Sequence, residues 1–216
     1  MVKTKEKDIS YDIYQPFGPS ILKTTLPEVY LEQIIQLTDK LLGNEKLSQD
    51  YNWSYQLAGN VHKEVRVPHD DIEGFSVFLM AMAEQYLIKT LGEKRVPKDA
   101  GVSLRVWAVS QYAGDFNPIH IHDANLSGVC FLKLPPEYEK EYASEDHHPT
   151  VGCLEFLGSI PNHFANHSYL VKPEVGDFYM FPSYLSHQVY PFRSEGERRS
   201  MSFNVHLSKG GKGIDV

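Results

Sequence analysis

The sequence of 216 residues predicts an α+β chain that is mainly β, with helices first and many strands after them. Apolar residues recur at helical spacing in two segments of the first hundred residues. From Val102 onward they lie instead in seven short runs separated by Gly, Pro, Asn and Asp. Such runs, which have no helical period, are typical of a closed or sandwiched antiparallel sheet.

The amino-terminal region predicts a leader, a strand and a helix. Residues 1–12 are charged and aperiodic, and they predict a mobile leader. An apolar run within Pro16–Thr25 suits a first strand. A helix follows over residues 26–42, and Thr25 and Glu28 fit a capping box at its start.

A second helix is expected to begin near Asp70 or Asp71, either of which suits an N-cap, and to end before Gly92. We therefore assign residues 13–100 to a strand and supporting helices. The sequence has no internal repeat and no sign of a second domain, so a single domain is expected.

The β core is assigned to residues 101–207 and is predicted to carry a metal site. Its seven runs are VSLRVWAVSQY, SGVCFLKL, TVGCLEFLG, SYLVKP, GDFYMFPS, HQVYPF and RRSMSFNVHL. The polar segment YEKEYASEDHH predicts a surface loop, and residues 208–216, rich in Gly and Lys, predict a flexible tail.

Composition narrows the class of protein. The net charge is −7 and no basic run stands out, which argues against a nucleic-acid partner. No apolar run reaches the roughly 18 residues that a bilayer span needs, and no signal-peptide core follows the first lysines, so no membrane partner and a cytoplasmic location are expected. Cys130 and Cys153 lie in apolar runs and predict buried free thiols, with a disulfide as the alternative.

Three histidines form a candidate metal site. His120 and His122 are two residues apart, so in an extended strand both side chains point to one face. His187 comes from a distant strand-like run. Neutral imidazole suits divalent iron, zinc, copper and nickel. The alternative interpretation is that these are exposed loop histidines.

Arg198 is a candidate anion site beside that metal site. The guanidinium group is a rigid fork that matches a carboxylate, and the hydroxyl of Ser200 lies on the same face of the predicted strand. The turn FRSEGE predicts a hairpin that would place this strand alongside that of His187. The alternative is a surface arginine in a charged turn. Alternation assigns two sets to opposite faces: Arg198, Ser200, Ser202 and Asn204 against Arg199, Met201 and Phe203.

The ordered segments LAGNVHKEV, Tyr112-x-Gly114, HIHDANLSGVCFL, GCLEF, GDFYMFPSYLSH and RRSMSFN resemble the iron(II)- and 2-oxoglutarate-dependent oxygenases. The most similar branch is the bacterial and phage-type one related to prolyl 4-hydroxylases. The resemblance implies a double-stranded β-helix, a jelly-roll, cupin-like barrel with supporting amino-terminal helices.

The resemblance also implies an activity. Such enzymes convert 2-oxoglutarate and O2 to succinate and CO2 while they hydroxylate a carbon centre, with ascorbate as an in vitro reductant. His120 and His187 would bind Fe(II), and Arg198, helped by Ser200 and Tyr112, would hold the far carboxylate of 2-oxoglutarate. The acceptor would be a prolyl or other residue of a peptide or protein, or a small molecule. The sequence leaves the acceptor and the oligomeric state open.

One position departs from the family pattern, His-x-Asp or His-x-Glu, because His122 stands where a carboxylate is usual. Three ligand sets remain open: the three histidines; Asp123 turned inward by a β-bulge beside two histidines; or two histidines completed by water. Trp107 is interpreted as a core or wall aromatic. Two alternative functions remain, a three-histidine cupin-type metalloenzyme that does not use 2-oxoglutarate and an inactive jelly-roll binding module.

Overall fold

The computed structural model describes residues 10–14, 18–54, 59–96, 101–144, 149–158, 166–209 and 212–213. Within these ranges the α-helices are α1 (Glu28–Gly43), α2 (Glu45–Asp50), α3 (Glu73–Leu91) and α4 (Tyr138–Ala143). The strands are β1 (Tyr11–Tyr14), β2 (Ile21–Thr25), β3 (Lys63–Arg66), β4 (Gly101–Gln111), β5 (Asn117–His120), β6 (Leu126–Lys133), β7 (Leu154–Leu157), β8 (Ser168–Val171), β9 (Asp177–Pro182), β10 (Ser186–Val189), β11 (Arg198–Lys209) and β12 (Lys212–Gly213).

Two antiparallel sheets make up the β core. The larger has the strand order β1-β2-β9-β6-β11-β4-β3, with β12 paired to β11, and the smaller has the order β5-β10-β7-β8. From β4 to β7, and again from β9 to β11, consecutive strands alternate between the two sheets. This alternation is the winding of a jelly roll.

All seven predicted runs form strands, namely β4 and β6 to β11. The prediction missed β1, β3 and β12, whereas β5 ends at His120, which was expected in an extended strand.

Both long helices form close to their predicted positions. The proposed capping box is wrong, because Thr25 ends β2 and the N-cap of α1 is Pro27, which makes no side-chain hydrogen bond there. A short 3-10 turn, His69–Ile72, occupies the predicted start of the second helix, and α3 itself begins at Glu73.

Three flanking predictions need correction. β1 begins at Tyr11, inside the predicted leader, while residues 1–9 lie outside the described part. The predicted surface loop contains α4, and its residues 145–148 are outside the described part. In the predicted tail, β11 runs to Lys209 and pairs with Lys212–Gly213, so backbone pairing continues there. Residues 210–211 and 214–216 are not described.

The larger sheet is buried on both faces. One face packs on α1 and α3 through a cluster that includes Met201, Phe203 and Val205 of β11. The other face packs on the smaller sheet through a second cluster, to which Phe131 and Tyr179 contribute from the larger sheet and Leu154 and Phe156 from the smaller. Helices, large sheet and small sheet are thus three successive layers.

Arg199 anchors α1 to β11. Its side chain is 4% exposed and makes a two-point ion pair with Glu197, at 2.7 and 2.5 Å. It also donates to Thr38 Oγ1 at 3.1 Å and to Asp39 Oδ1 at 2.7 Å, both in α1. Several charge-assisted bonds satisfy this buried cation, as burial of a charge requires.

Cys130 and Cys153 are both buried and free. Among the described helices, none has the length and apolar character needed to cross a bilayer.

Candidate active site

His120, His122 and His187 meet between the two sheets. His187 in β10 is the cross-strand partner of His120 in β5. β5 ends at His120, so His122 lies just beyond it, where its backbone N–H donates to the Ser183 carbonyl at 3.0 Å. The expected juxtaposition of His120 and His122 therefore arises with only one of them in a strand.

The three imidazoles converge on one point. Their ring centroids are 4.3 Å apart for His120 and His187, 5.0 Å for His120 and His122, and 5.1 Å for His122 and His187. One nitrogen from each ring lies within 4.8 Å of the others. That spacing suits nitrogen ligands around one divalent metal ion.

Backbone carbonyls orient two of the rings. Nδ1 of His120 lies 2.8 Å from the Pro118 carbonyl, and Nδ1 of His187 lies 2.8 Å from the Leu185 carbonyl. A carbonyl only accepts, so each Nδ1 carries the proton and each Nε2 keeps its lone pair. Such outer hydrogen bonds commonly orient histidines that bind metals.

Burial keeps the cluster uncharged. It lowers the pKa of His187 to about 3 and that of His122 to about 4, and the neighbouring His120 lowers both further. Burial also lowers the pKa of His120. All three rings are therefore neutral at pH 7, which is the form that binds a metal ion.

Asp123 lies at the edge of this cluster. It is exposed and lines the cavity, but it does not belong to the set of side chains whose ligand atoms lie within 4.8 Å of one another. Trp107 also lines the cavity, and its ring packs edge-on to His122 with centroids 5.7 Å apart. Trp107 is thus a wall aromatic, as interpreted from the sequence.

A cavity of about 410 Å³ opens in front of the histidines. The larger sheet contributes one wall, from β4, β6 and β11, and the smaller sheet the other, from β5, β7 and β10. The predicted alternation along β11 is confirmed. Arg198, Ser200, Ser202 and Asn204 line the cavity, whereas Met201 and Phe203 belong to the helix-facing core.

Arg198 is a buried cation at this cavity. It is 2% exposed, and its guanidinium lies 5.3 Å from the centroid of the Phe131 ring. Nε donates to the Gly152 carbonyl at 3.1 Å, and Nη1 donates to Gln111 Oε1 at 2.5 Å. Burial lowers its pKa to about 10, so the side chain stays charged at neutral pH. No carboxylate in the described part of the chain forms an ion pair with it.

The predicted hairpin between the strands of His187 and Arg198 is wrong. β10 belongs to the smaller sheet and β11 to the larger, so the segment between them crosses from one sheet to the other. Arg198 and His187 instead line the same cavity from opposite walls. Ser200, 4% exposed, lines it on the Arg198 side.

Tyr112 is placed differently from its predicted partners. It is 41% exposed, its ring packs edge-on to His62, and it is not among the described residues that line the cavity. Gln111, one residue earlier, is the cross-strand partner of Arg198 and holds its guanidinium.

Sequence reasoning also missed Gly152 and Glu64. Gly152 has a φ of +59°, a conformation that favours glycine, and this turn presents its carbonyl to Arg198. A glycine in GCLEF was visible, but its partner 46 residues away was not. Glu64 lines the cavity from β3 with 1% exposure, although a glutamate in KEVR suggests a solvated position.

Residues 105–204, which carry all of the described cavity-lining residues except Trp53 and Glu64, match the family described as "Putative 2OG-Fe(II) oxygenase". The match covers 100 of the 216 residues, the part of the chain that forms the jelly-roll core.

Solved structures of 2OG-Fe(II) oxygenases share the fold. A prolyl-4-hydroxylase from Pseudomonas putida matches with 15% identity and a TM-score of 0.52, over 91% of this chain and 92% of that one. A prolyl hydroxylase from Trichoplax adhaerens, solved with a peptide of hypoxia inducible factor, matches with 14% identity and a TM-score of 0.54, over 91% and 83%.

A third similar structure is the non-heme alpha ketoglutarate dependent carbocyclase SnoK from nogalamycin biosynthesis, with 12% identity, a TM-score of 0.56, and coverage of 90% of this chain and 83% of that chain. These likenesses confirm the predicted double-stranded β-helix. No curated protein matches the sequence.

Proposed function

We propose that this chain is an Fe(II)- and 2-oxoglutarate-dependent oxygenase that hydroxylates a carbon centre of its acceptor. In this proposal His120, His122 and His187 bind Fe(II), and Arg198 with Ser200 binds the far carboxylate of 2-oxoglutarate. One observation carries the proposal: a buried, charged arginine without a carboxylate partner in the described chain lines the same cavity as three convergent imidazoles.

The donor set suits Fe(II). Three neutral imidazole nitrogens are good ligands for divalent iron, and a three-sided set leaves further coordination positions open. A ring nitrogen of His122 lies within 4.8 Å of those of His120 and His187, whereas Asp123 is exposed. Both observations favour the three-histidine set over a set with Asp123 or a two-histidine set completed by water. A set without a carboxylate also leaves the full charge of the metal available to attract an anionic cosubstrate.

The surroundings of Arg198 suit a dicarboxylate. Gln111 and Gly152 each accept one of its hydrogen bonds, which fixes the plane of the guanidinium while other N–H groups remain for a ligand. A carboxylate would supply the counter-charge that this buried cation lacks. Because Arg198 and the histidines lie on opposite walls, an anion with two acidic ends would bridge them.

Bound iron and cosubstrate would supply the oxidation, in which 2-oxoglutarate and O2 become succinate and CO2 and a C–H bond of the acceptor becomes C–OH. The role of the chain is to orient these partners and to limit water. Apolar side chains line the cavity between its polar ends, among them Val129, Phe131, Leu154 and Phe181. Such a dry wall strengthens the electrostatic contacts inside it.

An amino-acid residue of a peptide or protein, prolyl or another, is the acceptor that we propose. Large apolar side chains are exposed on both sides of His120, with Phe116 at 40%, Ile119 at 57% and Ile121 at 58% exposure. Ile121 also lines the cavity, and exposed apolar side chains of this kind suit a polypeptide partner. The two buried free thiols suit a reducing compartment, so we propose a cytoplasmic location.

The first experiment measures succinate formed from 2-oxoglutarate by the purified chain with Fe(II), ascorbate and air. Uncoupled turnover is expected without the acceptor, with no succinate from His187→Ala and much less from Arg198→Ala. His69→Ala, which changes an exposed histidine in the 3-10 turn, is the matched control and should behave like the parent. Failure of the parent chain to bind Fe(II) and 2-oxoglutarate in anaerobic calorimetry would refute the proposal.

A further inference from the structure

Glu64 is a buried carboxyl group at the edge of the larger sheet. It lies on β3, in register with Val109 of β4, which in turn pairs with Ser200 of β11. Its side chain is 1% exposed and lines the same cavity as the histidines. Two strand spacings separate its backbone from that of Ser200, roughly 10 Å. Glu64 therefore faces a different part of the cavity from the arginine clamp.

Among the residues that the structure describes, neither carboxyl oxygen of Glu64 makes a hydrogen bond. The indole N–H of Trp107 is near enough to lower its pKa, but it makes no hydrogen bond of acceptable geometry. The cations around it are Arg105, which lines the cavity from β4, and Arg66, whose guanidinium lies 5.9 Å from the centroid of the Trp53 ring. Within the described residues, neither forms an ion pair with Glu64.

Two indole rings flank this part of the cavity. Trp53 and Trp107 are the two tryptophans of the chain, and both line the cavity together with Glu64. Indole faces attract organic cations, and a carboxylate supplies the opposite charge. An aliphatic ligand would leave the buried carboxyl group without a partner, which is costly.

We propose that the acceptor substrate of this oxygenase carries an organic cation, an ammonium or guanidinium group, that pairs with Glu64 between Trp53 and Trp107. This inference rests on the proposed function, since it names the substrate class of the same cavity. It assigns opposite charges to two regions of the cavity: Arg198 selects the anionic cosubstrate, and Glu64 selects the cationic acceptor. Glu64 is thus a specificity-determining residue.

The protonation of Glu64 agrees with this role. Burial raises its pKa to about 8, so the empty cavity holds a neutral carboxyl group at pH 7. An arriving cation stabilises the carboxylate and displaces that proton to solvent. The charge then exists only when its partner is present, which spares the empty cavity an unpaired buried charge.

The test uses two cationic probes, n-butylammonium and n-butylguanidinium, and the uncharged 1-pentanol, which is similar in size. Each is titrated under nitrogen into the chain loaded with Fe(II) and 2-oxoglutarate, with binding followed by tryptophan fluorescence and calorimetry. Because both tryptophans line the cavity, their emission reports directly on its occupancy. We expect both cations to bind at least about tenfold more tightly than 1-pentanol.

Glu64→Gln, which is isosteric and uncharged, should remove this preference, and so should Glu64→Met. Glu32→Gln, on the exposed face of α1, is the matched control and should keep it. Equal affinity for the cations and for 1-pentanol would overturn the inference, as would a Glu64→Gln protein that still prefers cations. Circular dichroism and thermal unfolding establish that each variant is folded.

Separate titrations with Fe(II) and with 2-oxoglutarate distinguish the two proposals. If both bind but the probes show no charge preference, the oxygenase proposal stands and the role of Glu64 is refuted. If neither binds, the proposed function fails, and a Glu64-dependent cation site would no longer describe an acceptor.

Discussion

His187 and His120 are directly opposed across β10 and β5, with ring centroids 4.3 Å apart. A directly opposed pair keeps its side chains within about 5.5 Å at Cβ, so strand pairing alone fixes the relative position of two proposed ligands. The third, His122, depends on the backbone just after β5, which the Ser183 carbonyl holds. The site therefore consists of a rigid pair and one separately held ligand.

That arrangement predicts different results for the two candidate third ligands. His122→Ala should weaken Fe(II) binding by at least about tenfold, because it removes a ligand. Asp123→Ala should leave it nearly unchanged, since Asp123 is exposed at the edge of the cluster. Anaerobic calorimetry with Fe(II) measures both. His122→Asp should retain iron, because it restores a two-histidine, one-carboxylate set. Loss of iron from Asp123→Ala alone would favour the bulged alternative.

The clamp predicts a change in KM for 2-oxoglutarate. Arg198→Lys keeps the charge but loses the planar fork, so KM should rise at least about tenfold. Gln111→Leu should have a smaller effect of the same kind, because it frees the guanidinium on one side only. Succinate formation at varied 2-oxoglutarate measures KM. Arg193→Lys, where the side chain is 76% exposed, is the control. An unchanged KM in Arg198→Lys would contradict the clamp.

Glu64 predicts a pH-dependent stability. Its pKa is about 8 in the folded chain against an ordinary 4.5, so the unfolded chain ionises first as pH rises. Folding then requires proton uptake, and the stability falls between pH 4.5 and 8. Glu64→Gln avoids this loss, and at pH 7 the difference should be about 3 kcal/mol larger than at pH 4.5.

Urea unfolding of the parent and of Glu64→Gln at pH 5 and pH 7.5 measures this effect. Any cost of burying the glutamine amide is the same at both pH values and cancels in the comparison. Glu32→Gln should give no such pH dependence, because Glu32 is exposed. A Glu64→Gln effect that is equal at both pH values would mean that the carboxyl group is solvated.

Gly128 predicts a strong packing effect. A Cβ there would lie 2.1 Å from Cζ of Phe203 and 2.3 Å from the Tyr179 carbonyl oxygen, and that backbone atom has little freedom to move. Gly128→Ala should therefore destabilise the fold by about 3 kcal/mol. Gly43→Ala at the end of α1, where no atom lies within 4 Å, should instead stabilise it by about 0.5 kcal/mol. Urea unfolding compares the two, and equal effects would contradict this account.

Local sequence patterns predicted much of this molecule because the relevant signals were local. A two-residue period along β11 separated the cavity-lining Arg198 and Ser200 from the core residues Met201 and Phe203. The same spacing predicted that His120 and His122 lie close together, and they do, although only His120 is in a strand. Periodicity reports which face a side chain occupies, and that was sufficient for these residues.

Long-range pairing could not be predicted in the same way. The segment FRSEGE resembles a hairpin turn, but strands of a jelly roll alternate between two sheets, so this one crosses the barrel. The partners of Arg198 lie 46 and 87 residues away, at Gly152 and Gln111. Glu64 was missed for a different reason: a charged residue predicts exposure, and its burial depends on the whole cavity.

Arg198 and Arg199 are consecutive in β11 and point in opposite directions, one into the cavity and the other to α1. The strand that carries Arg198 is thus held to α1, because Arg199 hydrogen-bonds to Thr38 and Asp39. In an excised fragment of residues 105–204, the apolar sheet face that packs on α1 and α3 would be exposed to solvent. Arg199 would also lose its partners in α1. The jelly roll of this chain therefore depends on its amino-terminal helices, which pack against the sheet that carries the proposed binding residues.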